Sequence, residues 1–239
     1  MIVILTGAGI SQESGIPTFR DMGGIWRTVP LEEVATLSGF NRNPERALSF
    51  FNEFRRLLSD PEIVPNPAHL ALARLEQEST EPVLVVTQNI DNLHARAGSK
   101  NLLHMHGEMS LARCSACETV MDWEKDFTLD DLCPKCNTRS QMRPHVVLFE
   151  EMPFHLDEID HALANCRLFV SIGTSGHVQP AASFVMKAEK YGIERLELNL
   201  ERSLSAWFFS EGRYGKAGVL VPQWVEEVLA AQRAQERPG

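Results

Sequence analysis

A doubly wound α/β domain is the fold this sequence predicts. Short β-branched runs alternate with helix-period segments, most of those runs are apolar throughout, and only two stretches break the rhythm. The runs cover residues 2–5, 83–86, 146–149, 168–172, 196–198 and 219–221. A strand covered by helices on both faces has no solvent side, so its residues read as a continuous apolar stretch, as in a parallel sheet. The helix-period segments cover 45–58, 68–77, 156–164, 181–191 and 223–234. The interruptions are residues 19–67, a helical stretch between the first two strands, and about 108–142, where four cysteines lie among polar residues.

Composition narrows the classes. The chain has 239 residues, 44% hydrophobic, with 32 acidic against 23 basic groups and a net charge of −9. That balance disfavours nucleic acid, whose binding footprints are basic, and suits a partner that presents lysine. No apolar run reaches the roughly 18 residues of a membrane helix. Residues 1–6 form a strand-like run with no basic leader or cleavage site, so a cytoplasmic protein is expected, and a monomer.

The first strand runs into Thr6-Gly-Ala-Gly-Ile-Ser11, with a helix expected to start near Ser11. Small residues there let backbone N–H groups approach a diphosphate, although a tight strand-to-helix turn needs the same residues. The second strand ends in Thr87-Gln-Asn-Ile-Asp-Asn-Leu-His94 and the fourth in Gly173-Thr-Ser175. Doubly wound sheets bind ligands at such strand ends. Between them, Cys114-x-x-Cys117 and Cys133-x-x-Cys136 stand fifteen residues apart. Four thiolates on two turns hold zinc tetrahedrally and leave no open position, so a structural Zn2+ is expected rather than a hydrolytic one. Cys166 reads as a small core residue.

The motifs Gly7-Ala-Gly-Ile-Ser11, Gly15-Ile-Pro-Thr-Phe-Arg20, Thr87-Gln-Asn-Ile-Asp91, His104-Met-His-Gly107, the paired Cys-x-x-Cys and Gly173-Thr-Ser175 occur together and in this order. In this the chain resembles the sirtuins, NAD-dependent protein lysine deacylases, over essentially its whole length, and within them the bacterial CobB-type class that includes desuccinylases. The resemblance implies a Rossmann-like NAD-binding domain of residues 1–20, 66–107 and 143–239. It also implies a small lobe made of a helical module, 21–65, and a zinc module, 108–142, with an acyl-lysine peptide in the cleft between.

The resemblance also assigns roles. Gly7, Ala8, Gly9 and Ser11 cradle the NAD diphosphate, Arg20 holds the cofactor loop, and Phe19 shields the ribosyl centre. Gln88 contacts the nicotinamide ribose, and Asn89, Ile90 and Asp91 line the nicotinamide pocket. Gly173, Thr174, Ser175, Asn199 and Ala217 take the adenosine half, while Val147, Phe149 and Val178 take the peptide. His106 is the general base, with Asn89 and Asp91 as its catalytic company, and imidazole titrates in the range such proton work needs. The implied products are nicotinamide, the deacylated lysine side chain of the substrate and 2′-O-acyl-ADP-ribose.

Two departures bear on the substrate. Desuccinylase-type sirtuins place an alanine after Phe-Arg and then a Tyr-x-x-Arg that binds the acyl carboxylate. Here Met22, Phe51 and Phe54 stand at those positions. An unpaired buried carboxylate is costly, so neutral acyl groups are expected over succinyl and malonyl. Two alternatives stay open: the phenylalanines form only the apolar face of a helix, or Arg55 or Arg56 reaches the pocket. The second departure is Glu150, where the family has glycine. It would tune peptide preference towards basic flanks or hinder entry. The rival function is NAD consumption without deacylation, by mono-ADP-ribosyl transfer or NAD hydrolysis.

Overall fold

The computed structural model describes residues 1–18 and 30–236. Phe19, Arg20 and Met22, expected at the cofactor loop and acyl pocket, lie outside the described residues.

In chain order, β1 (Ile2–Thr6) is followed by 3-10 turns at Ala8–Ile10 and Gln12–Ser14, then α1 (Leu31–Val34), α2 (Leu37–Arg42), α3 (Pro44–Leu58), α4 (Pro67–Glu78) and β2 (Val83–Thr87). Next come α5 (Leu93–Ala97), β3 (Leu102–His104), β4 (Gly107–Cys114), β5 (Val120–Asp122) and β6 (Met142–Val146). The chain continues through α6 (Leu156–Asn165), β7 (Leu168–Ile172), α7 (Phe184–Lys190), β8 (Glu194–Asn199), β9 (Glu211–Tyr214) and α8 (Ala217–Glu236).

Six strands form one sheet in the order β3-β2-β1-β7-β8-β9, and every pairing in it is parallel. Counted within that sheet this is the Rossmann order 3-2-1-4-5-6, with its reversal between β1 and β7. Both faces are covered, and the side chains alternate between two cores. Ile2, Ile4, Val83, Val85 and Val170 pack beneath Leu72 and Leu75 of α4 and Trp224, Val225 and Leu229 of α8. Val3, Leu5, Leu84, Val86 and Phe169 pack on Ile159 and Leu163 of α6 and Phe184 and Val185 of α7. Truncating one of these, for example Leu229→Ala, should cost about 2–5 kcal/mol.

The remaining strands form a separate antiparallel sheet, β5-β4-β6, that carries the cysteines. Helix α3 lies against it. Asn43 caps the helix by accepting from Arg46 N–H, and Pro44 occupies its first position. One face, Phe50, Phe51 and Phe54, enters a third core with Ile16, Leu93, Met109, Val146 and Leu148.

Three expectations are corrected. Residues 219–221 are no strand but the first turns of α8, because Val221 continues the stripe through Trp224, Val225 and Leu229 that covers the sheet. The strand expected at 146–149 lies earlier, at Met142–Val146, and pairs antiparallel in the small sheet. No α-helix starts at Ser11; two 3-10 turns fill that stretch and end at Gly15, at φ 89°.

Candidate active site

The carboxyl ends of β1, β2, β3, β7 and β8 bring the sequence-selected polar residues together. Gly9 N–H bonds Gly173 carbonyl at 2.9 Å, so the loop after β1 and the loop after β7 are in backbone contact. A Cβ on Gly9 would stand 2.8 Å from Gly173 Cα, and Gly173 itself lies at φ 63°. Neither position has room for a side chain. Gly7 N–H bonds Ile172 carbonyl at 3.0 Å, whereas the Ala8 N–H between them bonds nothing among the described residues.

Below this loop sits a buried polar network. Ser11 is fully buried, and its hydroxyl donates to Asp91 Oδ2 at 2.9 Å and accepts from Asn89 Nδ2 at 3.0 Å. Leu93 N–H donates to Asp91 Oδ1 at 3.0 Å. Burial raises the Asp91 carboxyl above its ordinary range, against the opposing pull of those donors. His69 Nε2 reaches Ser11 Oγ at 3.4 Å, and its Nδ1 accepts from Asn66 N–H, completing the capping box of α4. His94 closes the other side through Thr6 Oγ1 at 3.0 Å. Ile90 is half-buried, and its carbonyl accepts from Met109 N–H at 2.9 Å.

His106 stands just beyond β3. Its Nδ1 lies 2.9 Å from Gln88 carbonyl, and a carbonyl only accepts, so Nδ1 carries the proton and Nε2 keeps the lone pair. Burial lowers its pKa below that of free imidazole, partly offset by the same bond. Gly107 follows at φ 80°, and a Cβ there would lie 2.0 Å from His145 carbonyl. Only glycine permits the chain to turn from His106 into β4.

At the other end, Asn199 Nδ2 donates to Thr174 carbonyl at 2.7 Å, and Ser171 and Thr174 hydroxyls meet at 2.9 Å. Ser175 lies half-buried in the same loop. Val178 lines a small cavity with Gln88, Ser171, Thr174 and Ala181. Ala217 opens α8, whose next N–H, from Gly218, donates to Glu13 Oε1 at 3.0 Å. Nothing in the sequence signalled Glu13, because its partner lies 205 residues away.

The peptide-side candidates divide. Val147 N–H donates to His106 carbonyl at 2.8 Å, and Phe149 is 46% exposed. Phe51 and Phe54 are buried in the third core. Arg55 turns the other way: its Nη1 donates to Trp123 carbonyl, and its guanidinium lies 4.9 Å above the Phe127 ring. Arg56 pairs with Asp126 at 2.5 Å. Both arginines thus face the cysteine module, Arg55 buried against it and Arg56 paired at its exposed surface. Asn52 joins them there, exchanging two hydrogen bonds with the Phe127 backbone at 2.9 and 2.8 Å.

The Sγ atoms of Cys114, Cys117, Cys133 and Cys136 all lie within 4.8 Å of one another. Two of their separations, Cys114–Cys136 and Cys117–Cys133, are 3.7 Å. A zinc tetrahedron with bonds of about 2.3 Å has edges of about 3.8 Å, so the set fits that ion. The two turns are alike: Glu118 and Asn137 both take φ 57°, and their N–H groups bond the carbonyls of Cys114 and Cys133. Four sulfurs fill the tetrahedron.

A Rossmann-order sheet with closely packed glycine loops at its strand ends, a one-proton histidine just beyond β3 and a four-thiolate module define a Rossmann-like α/β protein with a zinc-ribbon lobe. The Sir2 family profile matches residues 7–180. An NAD-dependent protein deacylase of Vibrio cholerae is 53% identical over 236 residues, 98% of this chain and 96% of that protein. Among solved structures, a Sir2 homolog–NAD complex superimposes with a TM-score of 0.87 at 35% identity, covering 97% of this chain and 90% of that one. Sir2Tm bound to a propionylated peptide gives 0.79 at 29% identity, covering 95% and 92%. The chain belongs to the Sir2 family.

Proposed function

We propose that this protein is an NAD-dependent protein lysine deacylase that prefers neutral acyl groups, acetyl or propionyl, over succinyl and malonyl. The observation that carries the reading is the hydrogen bond from His106 Nδ1 to Gln88 carbonyl, which leaves Nε2 as the basic nitrogen beside the strand-end loops. The similarity to deacylases named for NAD, at 53% identity, supports the cosubstrate.

The residues divide the work. The Ala8 N–H, with no partner among the described residues, would donate to the diphosphate, and the side-chain-free contact of Gly9 with Gly173 would let it approach the backbone. Thr174, Ser175, Asn199 and Ala217 would hold the adenosine half. Ser11, being buried, would brace Asn89 and Asp91 from beneath rather than touch phosphate. Bound NAD supplies an activated ribosyl carbon and a cationic nicotinamide leaving group, so the zinc has only a structural part. Asn89, Ile90 and Asp91 would line the nicotinamide pocket. His106 Nε2 would take the proton that must leave a ribose hydroxyl, and 2′-O-acyl-ADP-ribose would be the acyl carrier released.

The acyl preference rests on Phe51 and Phe54, and on Arg55 and Arg56 being engaged with Trp123 and Asp126. The single carboxylate of a succinyl or malonyl tail would meet neither Arg55 nor Arg56 as they are placed, and an unpaired buried carboxylate costs several kcal/mol. The proposal includes the division into residues 1–20, 66–107 and 143–239 for NAD and 21–65 with 108–142 for the small lobe. It also includes a cytoplasmic monomer whose partners are acyl-lysine proteins or peptides, not nucleic acid or membrane. Among the described residues no helix is long and apolar enough to cross a membrane.

The test incubates the protein with NAD, with and without an acetyl-lysine peptide, and identifies the products by mass. O-acetyl-ADP-ribose formed in step with nicotinamide is expected. Equal nicotinamide release without peptide would instead make the protein an NAD hydrolase.

A further inference from the structure

Glu150 is a residue with a Cβ in the left-handed region, at φ 78°. Such a backbone is uncommon for a residue like glutamate, so a contact that offsets it is worth seeking. That contact is present. Glu150 Oε2 accepts from Ser38 N–H and Oε1 accepts from Ser38 hydroxyl, both at 2.9 Å and across 112 residues of chain. Ser38 lies in the first turn of α2, so a carboxylate there also meets the positive end of the helix.

The bonds around this contact form a strap. Val147 N–H donates to His106 carbonyl, Phe149 N–H donates to Ala35 carbonyl, and Leu37 N–H donates to Phe149 carbonyl. Leu148 is buried in the core beside Phe51 and Phe54, and its N–H donates to Glu151, which also pairs with Arg143 at 2.6 Å. The segment therefore runs from His106 to the small lobe with its backbone fastened at both ends. Phe149 presents its ring outward, and Glu150 with Ser38 is the last fastening on the lobe side.

We propose that Glu150 is a positioning residue: clasped to Ser38, it holds the 147–149 strap against the small lobe in the conformation that receives the acyl-lysine peptide. This rests on the deacylase reading. The clasp links the two sides of the cleft before substrate arrives, so ordering the strap is not charged to peptide binding. The carboxylate acts through its two acceptor oxygens, not as a free charge offered to basic peptide flanks.

Steady-state kinetics on Glu150→Ala, Glu150→Gln, Ser38→Ala and the Glu150→Ala/Ser38→Ala double variant test this. Glu150→Ala should raise the peptide KM about tenfold while kcat and the NAD KM stay within about twofold. Glu150→Gln, keeping one acceptor oxygen, should fall between, and the double variant should be no worse than Glu150→Ala. Hydrogen exchange of the Phe149 amide should quicken in Glu150→Ala, and this reads the clasp even if the wild type deacylates nothing. An unchanged peptide KM, or kcat and both KM values changing together, overturns the proposal. So does unchanged exchange, or a KM effect confined to peptides with basic flanks and equal in the Gln and Ala variants.

Discussion

The two walls of the cleft are built from different material. The sheet wall is made of backbone: Gly9 against Gly173, and the strand-end carbonyls of Thr6, Gln88 and Ile172 as acceptors. The small-lobe wall is made of side chains on α3, on the strap 147–149 and on the cysteine module. A backbone wall tolerates almost no substitution, because a single Cβ displaces main chain. A side-chain wall changes whenever one residue is exchanged. The motifs at Gly7–Ser11, Thr87–Asp91 and Gly173–Ser175 accordingly lie on the first wall, whereas the paired Cys-x-x-Cys and the departures at Phe51, Phe54 and Glu150 lie on the second.

The largest effect that could break this contrast is loss of the metal. Stripping zinc with a chelator, or Cys133→Ser, should abolish peptide deacylation, since four thiolates at tetrahedral spacing hold the module together. The two cores of the parallel sheet share no residue with the module, so the variant should keep a cooperative unfolding transition. Full activity with zinc absent from the protein would contradict this.

His106→Ala comes next. Deacylation should fall by about 10²–10⁴-fold with unfolding and zinc content unchanged. The pH profile sharpens the assignment. Because burial lowers the His106 pKa, the base form survives below the 6.5 of ordinary imidazole, and the acid limb of kcat should begin below that pH. An acid limb displaced above 6.5 would point to another group.

On the sheet wall, Gly9→Ala should cost about 3 kcal/mol of stability and raise the NAD KM, because its Cβ meets main chain rather than a movable side chain. On the lobe wall, Asn52→Ala should cost about 2 kcal/mol by orphaning the Phe127 backbone groups, with the NAD KM unchanged. Urea unfolding and NAD titration read both. Equal NAD effects from the two variants would erase the distinction between the walls.

The sheet wall was also the legible one. Continuous apolar runs marked β1, β2 and β7, and the polar residues after them fell where doubly wound sheets gather ligands. The cysteine spacing placed four thiolates together. What misled was local resemblance: residues 219–221 read as strand until Val221 is seen in a helical stripe with Trp224 and Val225. Edge strand β9, Glu-Gly-Arg-Tyr, carries no apolar pattern at all. The partners of Arg55, Glu13 and Glu150 lie 68, 205 and 112 residues away, and no periodicity carries that information. Position 150 keeps φ > 0 although it carries a glutamate, and the serine that its carboxylate meets was invisible in the sequence.

The most direct test of the account compares acetyl-, propionyl-, succinyl- and malonyl-lysine peptides of one backbone sequence at saturating NAD. With Arg55 and Arg56 turned to the cysteine module, kcat/KM for the neutral groups should exceed that for the carboxylate-bearing acyl groups by about tenfold or more, with one NAD KM throughout. Equal turnover of succinyl and acetyl peptides would contradict it.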